Sequence, residues 1–385
     1  MKNLRFMMAA IVAFTLAACS GGTPLDDTTE LWPAGSDNGK TGYIDKAGNM
    51  VIEAKYQSAS TFSCGYAVVY DANQVRLIKK NGEVQSTPSL SAISSFYYNY
   101  STVYTSDNKC GLLNSKLKYA IEPEAGVRFS YMSNEGLVLK LTEGYYGYVN
   151  AKGEQIIAPK YEYALSFVDG VAAVYVDGKW GCINTDGQFV IQPTYEFLQP
   201  IGNERIIYLI NGKFGLLDTQ GVVKAQAEYD MVGNLNILSY VDSQIDLWTE
   251  NWLPVMKDGK WGYIDKNGNV KLSLQYDAAN MFRGGLAVVA QSDRYMVIDS
   301  KGNIKYLMGA EEHAVNGAYH NGLLLTISTK DSKYYYRDET GQVIYSWKSA
   351  VSYSPEQPAN NTIMGVPEPR ELSPQDFYFV GKKLR

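Results

Sequence analysis

The chain has 385 residues, a formal net charge of −5, 19% charged residues, 31 Tyr and 35 Gly. A mildly acidic balance excludes a phosphate-tracking nucleic-acid binder and an electrostatic binder of anionic lipid, so no nucleic acid is expected as a partner. Low charge with abundant Tyr, Gly and β-branched residues fits an all-β protein with many turns.

The first element in chain order is a leader. Lys2 and Arg5 precede an apolar run from Phe6 to Ala18 that is too short for a membrane-spanning helix, so residues 1–18 read as a cleaved export signal. Leu16, Ala17, Ala18 and Cys19 resemble the lipobox of bacterial lipoproteins. That resemblance implies lipidation at Cys19 and a mature chain anchored through its N-terminal lipid only. By the same resemblance Ser20 favours the outer membrane, so the expected location is the cell envelope, periplasmic or surface-facing. Loss of Lys2 and Arg5 makes the mature chain two charges more negative. Residues 19–37 are polar with Gly and Pro, and read as a flexible linker.

From residue 38 to 345 the chain repeats itself. Aligned on the Gly of "KWG", the copies fall at Gly42, Arg76, Gly111, Gly147, Gly181, Gly215, Gly262, Met296 and Tyr335. Six residues later a second Gly recurs, preceded at three residues by Asp, Asn or Lys; only the third copy lacks it, with Leu117 in its place. Tyr56, Tyr161, Tyr195, Tyr229 and Tyr276 form a third marker eight residues further on. Stretches such as "DKNG" and "NTDG" place an Asx side chain at the start of a tight turn and Gly at its end, where positive φ is needed. The flanking residues alternate apolar and polar, so the unit is a β-hairpin. A third strand follows at "GLAVV", "GYAVV" and "GVAAV", which predicts three short antiparallel strands per repeat. In the "WG" pair the Trp covers one face, and the Gly lets a backbone or ring approach on the other, a packing device between units.

The stretches "GKWGYIDKNG" and "GKWGCINTDG" resemble the WG-repeat, or KWG-repeat, proteins of bacteria, as do "GKTGYIDKAG", "GYYGYVNAKG" and "GKFGLLDTQG" in weaker form. The resemblance implies a repetitive β protein with binding or structural roles and no shared active site. Tandem three-stranded units build either a propeller-like array of about eight or nine units, the favoured reading, or an open β-solenoid.

One interval of 47 residues inserts Met231–Val255, which carries Trp248 and Trp252 and is expected to project as a long loop or extra hairpin. Residues 346–385 read as a Pro-rich tail ending in a last strand, "DFYFVGKKLR", that could pair with the array's edge. Cys64, Cys110 and Cys182 occupy three different repeat positions without ligand spacing, and read as small buried residues.

No catalytic residue is assigned. The two histidines, His313 and His320, lie outside hydrolase and metalloprotease motifs, and no metal or cofactor site is expected. Asp45, Asp218, Asp265, Asp299 and Asp338 have turn roles, and "DKNGNVKLSLQY" lacks the clustered ligands of a calcium loop. Glu311 and Glu312 read as solvated loop acids. Binding is the class that remains: Tyr and Trp offer broad contact surfaces at low entropy cost, and Trp248, Trp252 and Tyr97 are the candidate contacts. The expected partner is an envelope protein or glycan. The alternative is a carbohydrate-active enzyme or accessory subunit using loop carboxylates.

Overall fold

The computed structural model describes residues 30–348 apart from 73, 234–247, 249, 251, 293, 316 and 318. Among these residues there is no helix, and the strands form nine small antiparallel sheets, each with strands adjacent in sequence adjacent in space. The sheets are the blades of a nine-bladed β-propeller. Blade 5 shows the plan, with strand a at Tyr163–Ala164, b at Val171–Val176, c at Lys179–Asn184 and d at Phe189–Tyr195. Strand d forms the rim, exposing Phe189 and Val190, while b is almost wholly buried.

The expected three strands per unit are thus corrected to four in seven of the nine blades. The strand missed is a, which is two residues long in blades 2, 3, 5, 7 and 8, too short for alternation to show. Among the described residues blade 1 has strands b, c and d (Trp32–Gly35, Thr41–Ile44, Met50–Tyr56), and blade 2 has a, b and c (Ser58–Ala59, Ala67–Asp71, Gln74–Ile78). The repeat array extends past the expected limits, starting at Trp32 and running to Lys348 at the end of blade 9.

The c–d turns follow the expected chemistry. Asp265 Oδ1 accepts the amides of Asn267 at 2.8 Å and Asn269 at 3.0 Å, and Gly268, at φ +83°, donates to the Asp265 carbonyl. Partial burial raises the Asp265 carboxyl, but hydrogen bonds from the Asn269 side chain and amide, from Lys271 and from the Asn267 amide outweigh it and hold it down at about 2. Leu117, in the copy without Gly, is forced to φ +59°. The a–b and b–c turns instead use consecutive left-handed residues, such as Asp169–Gly170 and Asp177–Gly178, the arrangement that matches the strand twist of a tight hairpin.

The "WG" glycine is needed inside its own blade, which corrects the expectation of an approach from a neighbouring unit. A Cβ at Gly181 would lie 2.7 Å from the Ile191 carbonyl oxygen, and one at Gly262 2.6 Å from that of Leu272. Strand d bulges over strand c at this point, with Trp180 opposite Tyr195 but Cys182 opposite Ile191. The Trp side of the pair does reach outward: Trp180 packs against Phe197 of blade 6 at 5.6 Å between ring centroids.

Between successive blades lie nine apolar clusters. Alternate residues of strand b feed the two sides: Ala172 and Val174 join the cluster shared with blade 4, Val171 and Ala173 the cluster shared with blade 6. Tyr43, Tyr148 and Tyr263, each one residue after the repeat Gly, reach across to donate to the carbonyls of Ser60, Leu165 and Asn280 in the next blade. The ninth cluster joins Trp32, Ala34 and Ile44 of blade 1 to Leu323, Leu325 and Tyr336 of blade 9, so the array is a closed ring. Trp32 Nε1 donates to the His320 carbonyl at 2.9 Å, and Tyr336 Oη to that of Pro33 at 2.7 Å.

Two consequences are measurable. Gly268→Ala places a Cβ 2.4 Å from the Lys224 carbonyl of the preceding blade, whereas at Gly153, of nearly equal φ, the nearest atom is 3.5 Å away. Left-handed strain alone costs about 1–2 kcal/mol, so denaturant unfolding should show that loss for Gly153→Ala and a clearly larger one for Gly268→Ala. Burial lowers the pKa of both His313 and His320 below the usual 6.5. Because their folded pKa is depressed, the stability tied to their neutral forms is full above about pH 6.5 and declines as pH falls through the folded values. The denaturation midpoint should fall between pH 7.5 and 5, and the His313→Gln/His320→Gln double variant should flatten that slope.

Candidate binding surface

The propeller has two faces, one built by a–b loops and c–d turns, the other by b–c turns and the links from strand d to the next strand a. On the second face the acid after the repeat Tyr caps its own blade's b–c turn: Asp277 Oδ2 accepts from Ser292 N at 2.7 Å, and Glu196 Oε1 from Asn211 N at 3.0 Å. The Lys of "GKWG" pairs with this acid of the next blade, as in Lys260 with Asp277 and Lys213 with Asp230. The a–b face carries a matching ladder. Glu135 accepts from Gly170 N at 2.7 Å, Asp169 from Glu204 N at 2.6 Å, and Glu250 from the amides of Gly284 and Gly285. Each of these acids ties one blade's loop to the next.

The nonrepeated acid Glu312 is not the solvated loop residue expected. It is 4% exposed on strand a of blade 9, where Arg337 Nε and Nη2 reach its two oxygens at 2.6 and 2.8 Å and Thr326 donates a further hydrogen bond. Burial opposes its charge, but Arg337 and Thr326 hold its carboxyl below the usual glutamate range. The arrangement locks blade 9 internally, because a buried carboxylate needs a paired guanidinium.

An aromatic row lies on blade 5. Tyr163 is opposite Tyr175, Tyr175 opposite Trp180, and Trp180 opposite Tyr195, so register aligns four aromatic residues across strands a to d at the b–c end, with Trp180 also packed on Phe197 and Tyr195 on Tyr208 of blade 6. All four are partly exposed. Tyr163 meets Tyr175 at 5.7 Å, Tyr175 meets Trp180 at 5.5 Å, and Tyr146 of blade 4 extends the row, stacked at 6.4 Å from Tyr163. The corresponding row of blade 7 is Met231, Met256, Trp261 and Tyr276. A cavity of about 190 Å³ in blade 4, lined by Lys140, Thr142, Tyr148, Ile157 and Pro159, is smaller than the roughly 300–1,000 Å³ of enclosed small-molecule pockets.

The residues singled out from sequence are not brought together. Trp248 is 1% exposed in the core shared by blades 6 and 7, and its indole N–H finds no acceptor among the described residues. Trp252, in the same a–b loop of blade 7, is partly buried; its Nε1 donates to the Ser300 carbonyl at 3.0 Å, and Lys271 Nζ lies 5.6 Å from the ring. Tyr97 is 8% exposed in the a–b loop of blade 3, against Tyr131. Cys110 and Cys182 are fully buried as expected, whereas Cys64 is half-buried in a turn at φ +49°. Cys19 and the segment "DFYFVGKKLR" lie outside the described residues. Sequence reasoning missed the aromatic row because its successive members are up to 15 residues apart and only strand register aligns them. Among the described residues no three His, Cys, Asp or Glu side chains cluster to hold a metal.

Comparison with curated proteins finds no match. Among solved structures the chain is similar to a eukaryotic initiation factor at 12% identity, over 83% of this chain and 96% of that one, with a TM-score of 0.58. It is also similar to apo AztD from Citrobacter koseri at 12% identity (74% and 92% covered, TM-score 0.38) and BamB from Moraxella catarrhalis at 10% (83% and 91% covered, TM-score 0.31). At such identity the likeness to the initiation factor is one of fold. The family model of the WG containing repeat matches residues 42–72, 146–180, 180–214 and 261–295. Each match begins at strand c of one blade and reaches into the next, so the propeller carries WG containing repeats staggered half a blade against its structural units.

Proposed function

We propose that the chain is a non-enzymatic, lipid-anchored protein of the cell envelope, at the outer membrane, whose propeller presents a surface for a protein or glycan partner. The aromatic row of blade 5 is the observation that carries this reading. Tyr and Trp rings ranked side by side offer faces for stacking on sugar rings or peptide side chains, with hydroxyls at their edges. The non-enzymatic part is supported by how the loop acids are used, since Glu135, Asp169 and Glu250 are engaged by backbone amides of neighbouring blades. The anchor rests on the sequence around Cys19.

Soluble residues 20–385 are the bait, set against detergent-solubilised envelope proteins and cell-wall or capsular glycans. A retained protein, or a glycan recovered intact, is expected, with affinity reduced about tenfold or more in Tyr175→Ala and Trp180→Phe, each measured on folded protein well below its melting temperature. A glycan recovered cleaved, or affinity indifferent to both variants, would overturn the reading. Fatty-acid labelling of the full chain should be lost in Cys19→Ser.

A further inference from the structure

Fourteen large apolar side chains are exposed among the described residues, and eleven of them lie one to three residues after the Gly of a c–d turn. Eight of the nine blades contribute to this set. Surface apolar residues scattered singly need no explanation, but these stand at one height, where strand d begins, around the rim of the ring. Val51, Val222, Val270 and Ile304 are at least half exposed there. Further along strand d the exposed positions turn polar, as at Glu53 and Lys55 in blade 1 and at Gln226 and Glu228 in blade 6. The apolar band is therefore confined to the end of the rim on the a–b face. The adjoining turn tips are basic: six of the nine carry a Lys at their two central positions, and two carry an acid, Asp186 and Glu339. In blades 1, 4 and 7, which lie a third of the ring apart, a single turn brings both kinds together, Lys46 with Val51, Lys152 with Ile156 and Lys266 with Val270, all exposed.

We propose that this rim is a bilayer-contact surface, its apolar side chains reaching the acyl boundary and its lysines the headgroup phosphates. A protein partner of ordinary size covers one arc of a ring, whereas a plane meets every blade at once, and a band repeated around the rim suits a plane. A second copy docked rim to rim would set lysine-bearing turns mostly against their like; lipid phosphates complement them. With a formal charge of −5 the chain is not drawn to a membrane by its overall field, so apolar burial supplies the binding and the lysines orient it. Strand b of blade 1, Trp32–Gly35, starts at the a–b end, so the chain enters the ring on this same face. The inference rests on the envelope reading for the presence of a membrane but not on acylation at Cys19, to which it adds a second contact.

Flotation of residues 20–385, which carry no acyl group, with vesicles of equal parts phosphatidylethanolamine and phosphatidylglycerol tests this. Binding at about millimolar lipid is expected. The triple variant Val51→Thr/Ile156→Thr/Val270→Thr, which keeps β-branched residues at exposed positions, should bind about tenfold or more weakly. Ile210→Thr, at an exposed site on the b–c end, should bind as the unsubstituted chain does. No vesicle binding, undiminished binding by the triple variant, or an equal loss in Ile210→Thr would each overturn the proposal. So would a lipid-free dimer, seen by sedimentation and abolished in the triple variant, which would give the rim to a second copy. A chain that takes up no fatty acid at Cys19 would leave these outcomes unchanged, so the anchor and the rim fail separately.

Discussion

Everything in this fold depends on apolar surface that can be covered only by a neighbour. A blade of two to seven-residue strands has no interior of its own; its two faces are both apolar, and each is half of a cluster completed by the next blade. A sheet of this size is marginal alone, and a linear stack would leave the first and last faces open to water. Closing the ring removes both ends at once. The seam between blades 9 and 1 has an apolar cluster of its own, with Trp347 lying against Gly35 where a Cβ would be 2.1 Å from its indole nitrogen.

What the chain declares openly is its turn chemistry. Gly48, Gly153, Gly187, Gly221, Gly268, Gly302 and Gly341 all take positive φ, as their spacing from an Asx residue or its equivalent implies. The repeat Tyr is mostly a core residue, with Tyr56, Tyr161, Tyr229 and Tyr276 buried between blades. The phase of the blade was hidden, because the sequence unit starts at strand c while the sheet starts at a dipeptide such as Ala278–Ala279, which has no periodicity to read. Pairings across blades were equally silent. Lys260 finds Asp277, and Tyr263 finds Asn280, each 17 residues away, a separation that means nothing until strands c and d are folded back. Glu312 was misjudged for a related reason: its partner Arg337 is 25 residues on, and nothing local marks the acid as buried.

The repeats also show where selection of one blade over another can matter. The Tyr hydroxyl that bridges blades belongs to blades 1, 4, 7 and 9 (Tyr43, Tyr148, Tyr263 and Tyr336), while the other five place Leu77, Leu112, Cys182, Leu216 and Val297 there. Blade 5 differs in its b–c end, where register aligns four aromatic residues across the strands. A surface that recognises a partner has to be a departure from the repeat, because a feature present in every blade would have no single location.

Strand direction gives the molecule a polarity. Strand b of blade 1 runs from the a–b face at Trp32 to the b–c face at Gly35, so Glu30 enters the ring on the a–b side. Eleven residues separate it from Cys19, a leash of at most about 40 Å when fully extended. Of the two faces, the acid-laddered a–b face is the one nearest the chain's point of entry, and the aromatic row of blade 5 stands at the opposite, b–c end. The compass point is set by the sense of a four-residue strand.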